Sequence, residues 1–206
     1  VNNNNSEVIT IPKTSISERS RYPLSFAQER VWFIEKYENG SNAYNIPLVA
    51  EIRDEIDLNI LKQSIQSVVA RHEILHSLIK DDKDGNSYQI VENFAEKPLV
   101  FNEYTVSNET ELTALIDKEV NHIYRLNEEY PIKVGIFSEK IVDPKKYYIS
   151  IVVHHIAFDG WSIDLFLNEL QIYYNYYCEL SAGNTSFLNL PELSIQYRDF
   201  AVWQRN

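Results

Sequence analysis

Tyr147-Tyr148-Ile149-Ser150-Ile151-Val152-Val153-His154-His155-Ile156-Ala157-Phe158-Asp159-Gly160-Trp161-Ser162 changes character twice within a short span. Residues Tyr147 to Val153 are almost continuously apolar, the pattern of a central strand covered on both faces. A histidine pair closes the run, an aspartate follows four residues later, and Gly160 opens an amphipathic stretch, Trp161 to about Leu180, that reads as a long helix. Successive side chains on a strand point to opposite faces. His154 and His155 therefore diverge: one serves the packed side of the sheet and the other looks into a cleft. That geometry suits a single working imidazole with support behind it and argues against a two-histidine metal chelate.

Working outward, residues 1–20 open with Asn2 to Asn5 and continue without periodicity, as a linker or lead-in does. Ser25 is a helix N-cap ahead of Ala27, Gln28, Val31, Trp32 and Ile34. Asn45 to Ile52 reads as a strand. Asp57 caps a second helix carrying Leu58, Leu61, Ile65, Val68 and Val69 at helical spacing. Ile74 to Ile79 and Tyr88 to Val91 read as strands joined across Asp84-Gly85-Asn86. Leu99 to Tyr104 is another strand. A third helix starts near Glu109 with Leu112, Leu115, Ile116 and Ile123 on one stripe, and Ile132, Val134 and Ile136 alternate as a half-buried strand. Tyr197, Phe200 and Trp203 suggest a final helix. Mixed strands and helices in this order predict a layered α/β unit.

The chain has 206 residues, 44% hydrophobic and 13% aromatic, enough for a substantial core. A net charge of −11 argues against nucleic acid or an anionic membrane as main partner. Cys178 is the only cysteine, which excludes an internal disulfide and a cysteine-based zinc site and fits a reducing, cytoplasmic setting; among Tyr173, Tyr174, Tyr176 and Tyr177 it reads as a packing residue. No membrane span or signal-peptide pattern is legible. Val1 at the start and the lack of methionine lead us to expect a piece of a longer protein.

An imidazole with an ordinary pKa of about 6.5 is largely neutral at cytosolic pH. It is able to take a proton from an amine attacking a carbonyl, or to orient that amine; general-base action is worth roughly a hundred- to ten-thousand-fold. Gly160, without a Cβ, lets a substrate approach the backbone, and its N–H is placed to hold an oxyanion. Asp159 is suited to pin the loop against a cation, since a buried carboxylate without a partner is costly. Each of these residues alone would more often be structural. Together, after a buried strand, they point to function.

His154-His155-Ile156-Ala157-Phe158-Asp159-Gly160 resembles the HHxxxDG motif of condensation domains from nonribosomal peptide synthetases, within the superfamily that resembles chloramphenicol acetyltransferase. Ser25-Phe26-Ala27-Gln28-Glu29-Arg30-Val31-Trp32-Phe33-Ile34 is similar to that family's SxAQxRLWFL, Arg71-His72-Glu73-Ile74-Leu75 to the start of RHExLRTxF, and Tyr197-Arg198-Asp199-Phe200-Ala201-Val202-Trp203-Gln204 to YxDYAVWQ. Four motifs in order, from residue 25 to 204, make the resemblance specific. It implies a two-layer sandwich, a mixed β-sheet with flanking helices, forming the N-terminal lobe of a chloramphenicol-acetyltransferase-like fold over residues 21–206, with the C-terminal lobe and half of the substrate channel absent.

The resemblance also implies peptide-bond formation between substrates tethered by phosphopantetheine to carrier-protein domains, with no cofactor or metal bound by this lobe. His155 would be the catalytic or orienting residue and His154 its support. Asp159 would be structural and paired with Arg71, Gly160 would line the channel, and Trp32 and Trp203 would pack. His76, Ser77 and Ile79 depart from the second motif, leaving His76 without an inherited role. An epimerization domain is the nearest rival, disfavoured because Trp161 precedes Ser162. Heterocyclization domains replace the histidine pair with aspartate, and dual epimerization/condensation domains carry an added His-His near their start. A noncatalytic carrier-docking lobe that keeps the motif as scaffold, or an acyltransferase using a coenzyme A thioester, would also carry these residues.

Overall fold

The computed structural model describes residues 10–14, 21–38, 40–53, 55–140 and 146–206. Its centre is the strand read first from the sequence. β7 (Tyr147–His154) lies between β2 (Asn45–Ile52) and β6 (Ile132–Glu139), antiparallel to both, and β5 (Phe101–Val106) completes the sheet parallel to β6. The order β2-β7-β6-β5 is mixed because β5 and β6 are joined through α3 (Glu109–Val120); a parallel neighbour needs such a crossover. A second sheet, β1-β4-β3, is built from β1 (Tyr22–Pro23), β3 (Ser77–Asp81) and β4 (Ser87–Val91). β3 and β4 form a hairpin whose turn requires Gly85, at φ 85°.

Two layers of side chains bury β7. On one face Ile149, Ile151 and Val153 meet Ile65, Val68 and Val69 of α2 (Leu58–Arg71) and Phe166 and Tyr173 of α4 (Gly160–Ser181). On the other, Val152 packs with Leu24, Tyr124, Leu126 and Ile156, against Val31 and Trp32 of α1 (Phe26–Glu38). Phe137 of β6 packs with Val106 and Leu112 under α3, so β6 is covered on both sides rather than half-buried as its alternation suggested.

Capping follows local chemistry. Ser25 Oγ accepts from Gln28 N at 3.1 Å while Gln28 Oε1 accepts from Ser25 N at 3.0 Å, a reciprocal cap for α1. Asp57 caps α2 through Asn59 N and Ile60 N, and Asn108 caps α3. Two expectations need correction. Residues Glu73–His76 form a 3-10 turn, so β3 starts only at Ser77; the reach of Ser77 Oγ back to Glu73 O at 2.6 Å closes that turn. α3 stops at Val120, and Ile123, placed on its stripe by spacing, is exposed.

The lead-in assigned to residues 1–20 lies mostly outside the described residues. Of the part described, Thr14 N donates to Asp199 Oδ1 at 2.8 Å and Thr14 O accepts from Arg198 Nη1 at 3.2 Å, which lays this segment on α5 (Tyr197–Arg205). No helix among the described residues is long and apolar enough to cross a membrane.

Candidate functional site

The strand-end histidines part as the alternation requires. His154 is fully buried, the last residue of β7, opposite Asn45. His155 begins the turn between β7 and α4, is exposed, and lines a cavity of about 590 Å³ whose wall includes Gln28, Val31, His72, Asp159 and Phe200. α1, α5, the segment after α2 and the β7–α4 turn thus meet there, and residues from all four motifs share one cavity wall. A hydroxyl contact ties two of these motifs together: Ser25 Oγ and Tyr197 Oη lie 2.9 Å apart.

The His155 backbone is held firmly while its ring faces the cavity. Its N–H donates to Tyr44 O at 2.8 Å, and its ring meets Tyr44 edge-on at 6.4 Å between centroids. Behind it, His154 Nδ1 accepts from Ile156 N at 3.2 Å, and its Nε2 lies 3.3 Å from Glu35 Oε1. Burial, reinforced by the neighbouring His155, pushes the His154 pKa down to about 4. A neutral ring that accepts at Nδ1 carries its proton on Nε2.

Asp159 lines the cavity, but its pairing with Arg71 is not formed. Its carboxylate caps α4, accepting from Ser162 N at 2.9 Å and Ser162 Oγ at 2.6 Å. Those bonds hold its pKa below the usual carboxylate range. Arg71 instead donates from Nε to Glu169 Oε1 at 3.1 Å and from Nη2 to Pro191 O at 2.6 Å. The physical reason is position. Asp159 sits at the exposed start of α4, whereas Glu169, nearly three turns on, is buried against α2 and requires the cation. Gly160 opens α4 and is exposed; it is not part of the cavity wall, and a Cβ there would meet no atom within 4 Å.

Three residues escaped the sequence reading. Glu169 is buried, with His72 Nε2 on its second oxygen at 2.6 Å. His72, read only as part of a motif, lines the cavity. Glu35 is buried against His154. A signal existed: Glu169 shares the inward stripe of α4 with Phe166 and Tyr173, and Glu35 lies seven residues after the buried Gln28. A carboxylate on an apolar stripe marks a buried partner. His76 is a core residue: its ring lies tilted against Phe94 at 5.3 Å and its Nδ1 is 2.9 Å from Glu92 O. Trp32 packs and donates to Ser87 Oγ at 2.9 Å. Among the described residues, no group of three or more metal-binding side chains is placed to hold an ion.

The condensation-domain family model matches residues 18–206. The chain belongs to this family. It is 32% identical over 206 residues to the N-(5-amino-5-carboxypentanoyl)-L-cysteinyl-D-valine synthase of Penicillium rubens, covering 98% of this chain and 5% of that protein. Among solved structures it superposes on the X-domain in its complex with OxyB from teicoplanin biosynthesis, with a TM-score of 0.76, 22% identity, and coverage of 96% of this chain and 41% of that one. The first condensation domain of the calcium-dependent antibiotic synthetase, in complex with a substrate analogue, gives a TM-score of 0.66, 22% identity, and 83% and 40% coverage. The condensation-domain chain thus spans a small part of the synthase and about two-fifths of these solved chains, which share its fold.

Proposed function

We propose that this chain forms one wall of a peptide-bond-forming site, and that His155 is its working imidazole. An acceptor amine attacks the carbonyl carbon of a donor thioester and the C–N bond forms. The nitrogen passes its proton to neutral His155, the C–S bond breaks, and the departing sulfur takes a proton. Both substrates arrive on phosphopantetheine arms of carrier domains, in the cytoplasm. The observation that carries the reading is the opposite fate of two adjacent histidines: one sealed in the core, the other free-faced on a cavity wall shared by all four motifs.

The chain spans only about two-fifths of solved relatives, which supports placing the opposite wall of the channel on a second lobe. On that basis the isolated 206-residue chain forms no peptide bond from loaded carriers. The test is His155→Ala in the intact synthetase, assayed for dipeptide with loaded carriers. Dipeptide formation falls by at least roughly a hundredfold, the lower end for a general base, with carrier loading unchanged. Near-normal turnover overturns the assignment, as does exchange of the donor Cα proton with solvent deuterium in place of dipeptide, which would indicate epimerization.

A further inference from the structure

Away from the cavity wall, one buried pair stands unused by the chemistry above. Glu35, on the inner face of α1, is 4% exposed and His154 is fully buried. Glu35 Oε1 and His154 Nε2 lie 3.3 Å apart, close enough for charge–dipole attraction but out of hydrogen-bond alignment, and neither atom has a hydrogen-bond partner among the described residues. Two buried polar atoms left to each other are costly unless they interact. The direction of that interaction is decided on the far side of the ring. Because Ile156 N–H points at Nδ1, the proton of the neutral ring sits on Nε2, the nitrogen nearest the carboxylate.

The second oxygen of Glu35 holds a different strand of the same arrangement. Oε2 accepts from Ser41 N at 3.1 Å, and Ser41 Oγ accepts from Ala43 N at 3.0 Å, shaping the loop that delivers Tyr44. Tyr44 O then accepts from His155 N at 2.8 Å, and the Tyr44 ring lies against both histidine rings, at 6.0 and 6.4 Å. Two arms leave one carboxylate. One runs through His154 to the N–H of Ile156, and the other runs through Ser41 and Tyr44 to the N–H of His155. They grip consecutive peptide units of the turn that carries the exposed imidazole.

We infer that Glu35 is a positioning residue for His155, acting through His154 on one side and the Ser41–Tyr44 loop on the other. Ser41 N–H donates to one oxygen and the protonated Nε2 of His154 is the polar atom nearest the other, so the site favours an acceptor at each oxygen. A carboxylate meets that requirement and an amide does not: Gln of equal size must turn its NH₂ toward one of the two donors. The other neighbours of the His154 ring leave this geometry intact. Tyr124 meets it edge-on at 5.6 Å and spends its hydroxyl on Val152 O at 2.6 Å. The inference rests on His155 being the working imidazole, but its test separates the two.

The chain labelled with ¹⁵N-histidine, assigned through His154→Gln and His155→Gln, reports ring tautomers directly. In the wild type, His154 is the neutral Nε2–H tautomer and stays so between about pH 5 and 8. In Glu35→Gln, the His155 ring signals move although the chain still melts cooperatively. In the intact synthetase the same substitution lowers kcat on the order of a hundredfold, the scale of a small misplacement at a reacting group, with KM for loaded carriers unchanged. An Nδ1–H tautomer or a charged His154 at pH 7 overturns the inference. So do His155 signals in Glu35→Gln that coincide with the wild type, or an unchanged kcat. If His155→Ala retains turnover while Glu35→Gln still shifts the His155 spectrum, the functional reading fails and the positioning contact stands.

Discussion

Replacing Asp159 and Arg71 by alanine, singly and together, separates two accounts of what the aspartate does. In the structure Asp159 caps α4, with both of its short bonds running to Ser162. Loss of an N-cap costs about 1 kcal/mol, within a range of roughly 0.5–2. Asp159→Asn keeps a capping oxygen and forfeits mainly the favourable charge at the positive end of a long helix, about 0.3–1 kcal/mol. Arg71→Ala acts elsewhere. It strips a guanidinium from buried Glu169, and breaking a buried pair costs roughly 3–5 kcal/mol. Because His72 stays on the other carboxylate oxygen, we place the cost at the lower end, about 3 kcal/mol. With no shared partner, Asp159 and Arg71 are additive to within about 0.5 kcal/mol. Arg71 and Glu169, in direct contact, couple by roughly 1–3 kcal/mol. Urea denaturation of the chain at pH 7, followed by tyrosine and tryptophan fluorescence, measures each corner of both cycles. For a chain of this size each kcal/mol appears as a shift of about 2–4 °C in Tm. A coupling above about 1 kcal/mol between Asp159 and Arg71 would refute the capping account and restore the ion pair that the motif resemblance implies.

Stability should fall as pH drops through mild acid. The folded-state pKa of His154 is held near 4 against an ordinary 6.5, so between those values the unfolded chain binds a proton that the folded chain refuses. That difference amounts to about 3 kcal/mol at its limit. His76, also lowered by burial, acts in the same direction, and Glu35, raised by burial, partly offsets it above the ordinary carboxylate pKa. Asp159 and Asp199, both lowered, extend the loss as pH falls below about 4. A urea midpoint unchanged from pH 7 to pH 4.5 would contradict this. Gly135→Ala is expected to destabilise by about 1–3 kcal/mol, because its Cβ would lie 2.7 Å from Ser150 Oγ and 3.0 Å from Phe137 Cζ. Ser150→Gly should recover part of that loss in thermal melts, and equal melting of Gly135→Ala and wild type would show that the β6–β7 pair has room to give.

Much of this arrangement was legible in the chain itself, and the parts that were follow from local rules. The almost continuously apolar run from Tyr147, rich in β-branched residues, identified the central strand, because a strand covered on both faces has that pattern. Strand alternation separated the fates of His154 and His155. Ser25, Asp57 and Gly160 marked helix starts through capping chemistry and backbone freedom that act over three or four residues. The motifs at Ser25, Arg71, His154 and Tyr197 pointed to the family.

Tertiary packing decided which charged group meets which. Arg71 and Asp159 come from different elements, and nothing in their spacing states that α4 turns Glu169, rather than its own cap, toward α2. Likewise Glu35 and His154 are far apart in the chain and meet only because α1 is laid across the end of β7. Burial makes such pairings compulsory, since a carboxylate removed from water must find donors, but it takes the assembled sheet and helices to determine which donors those are.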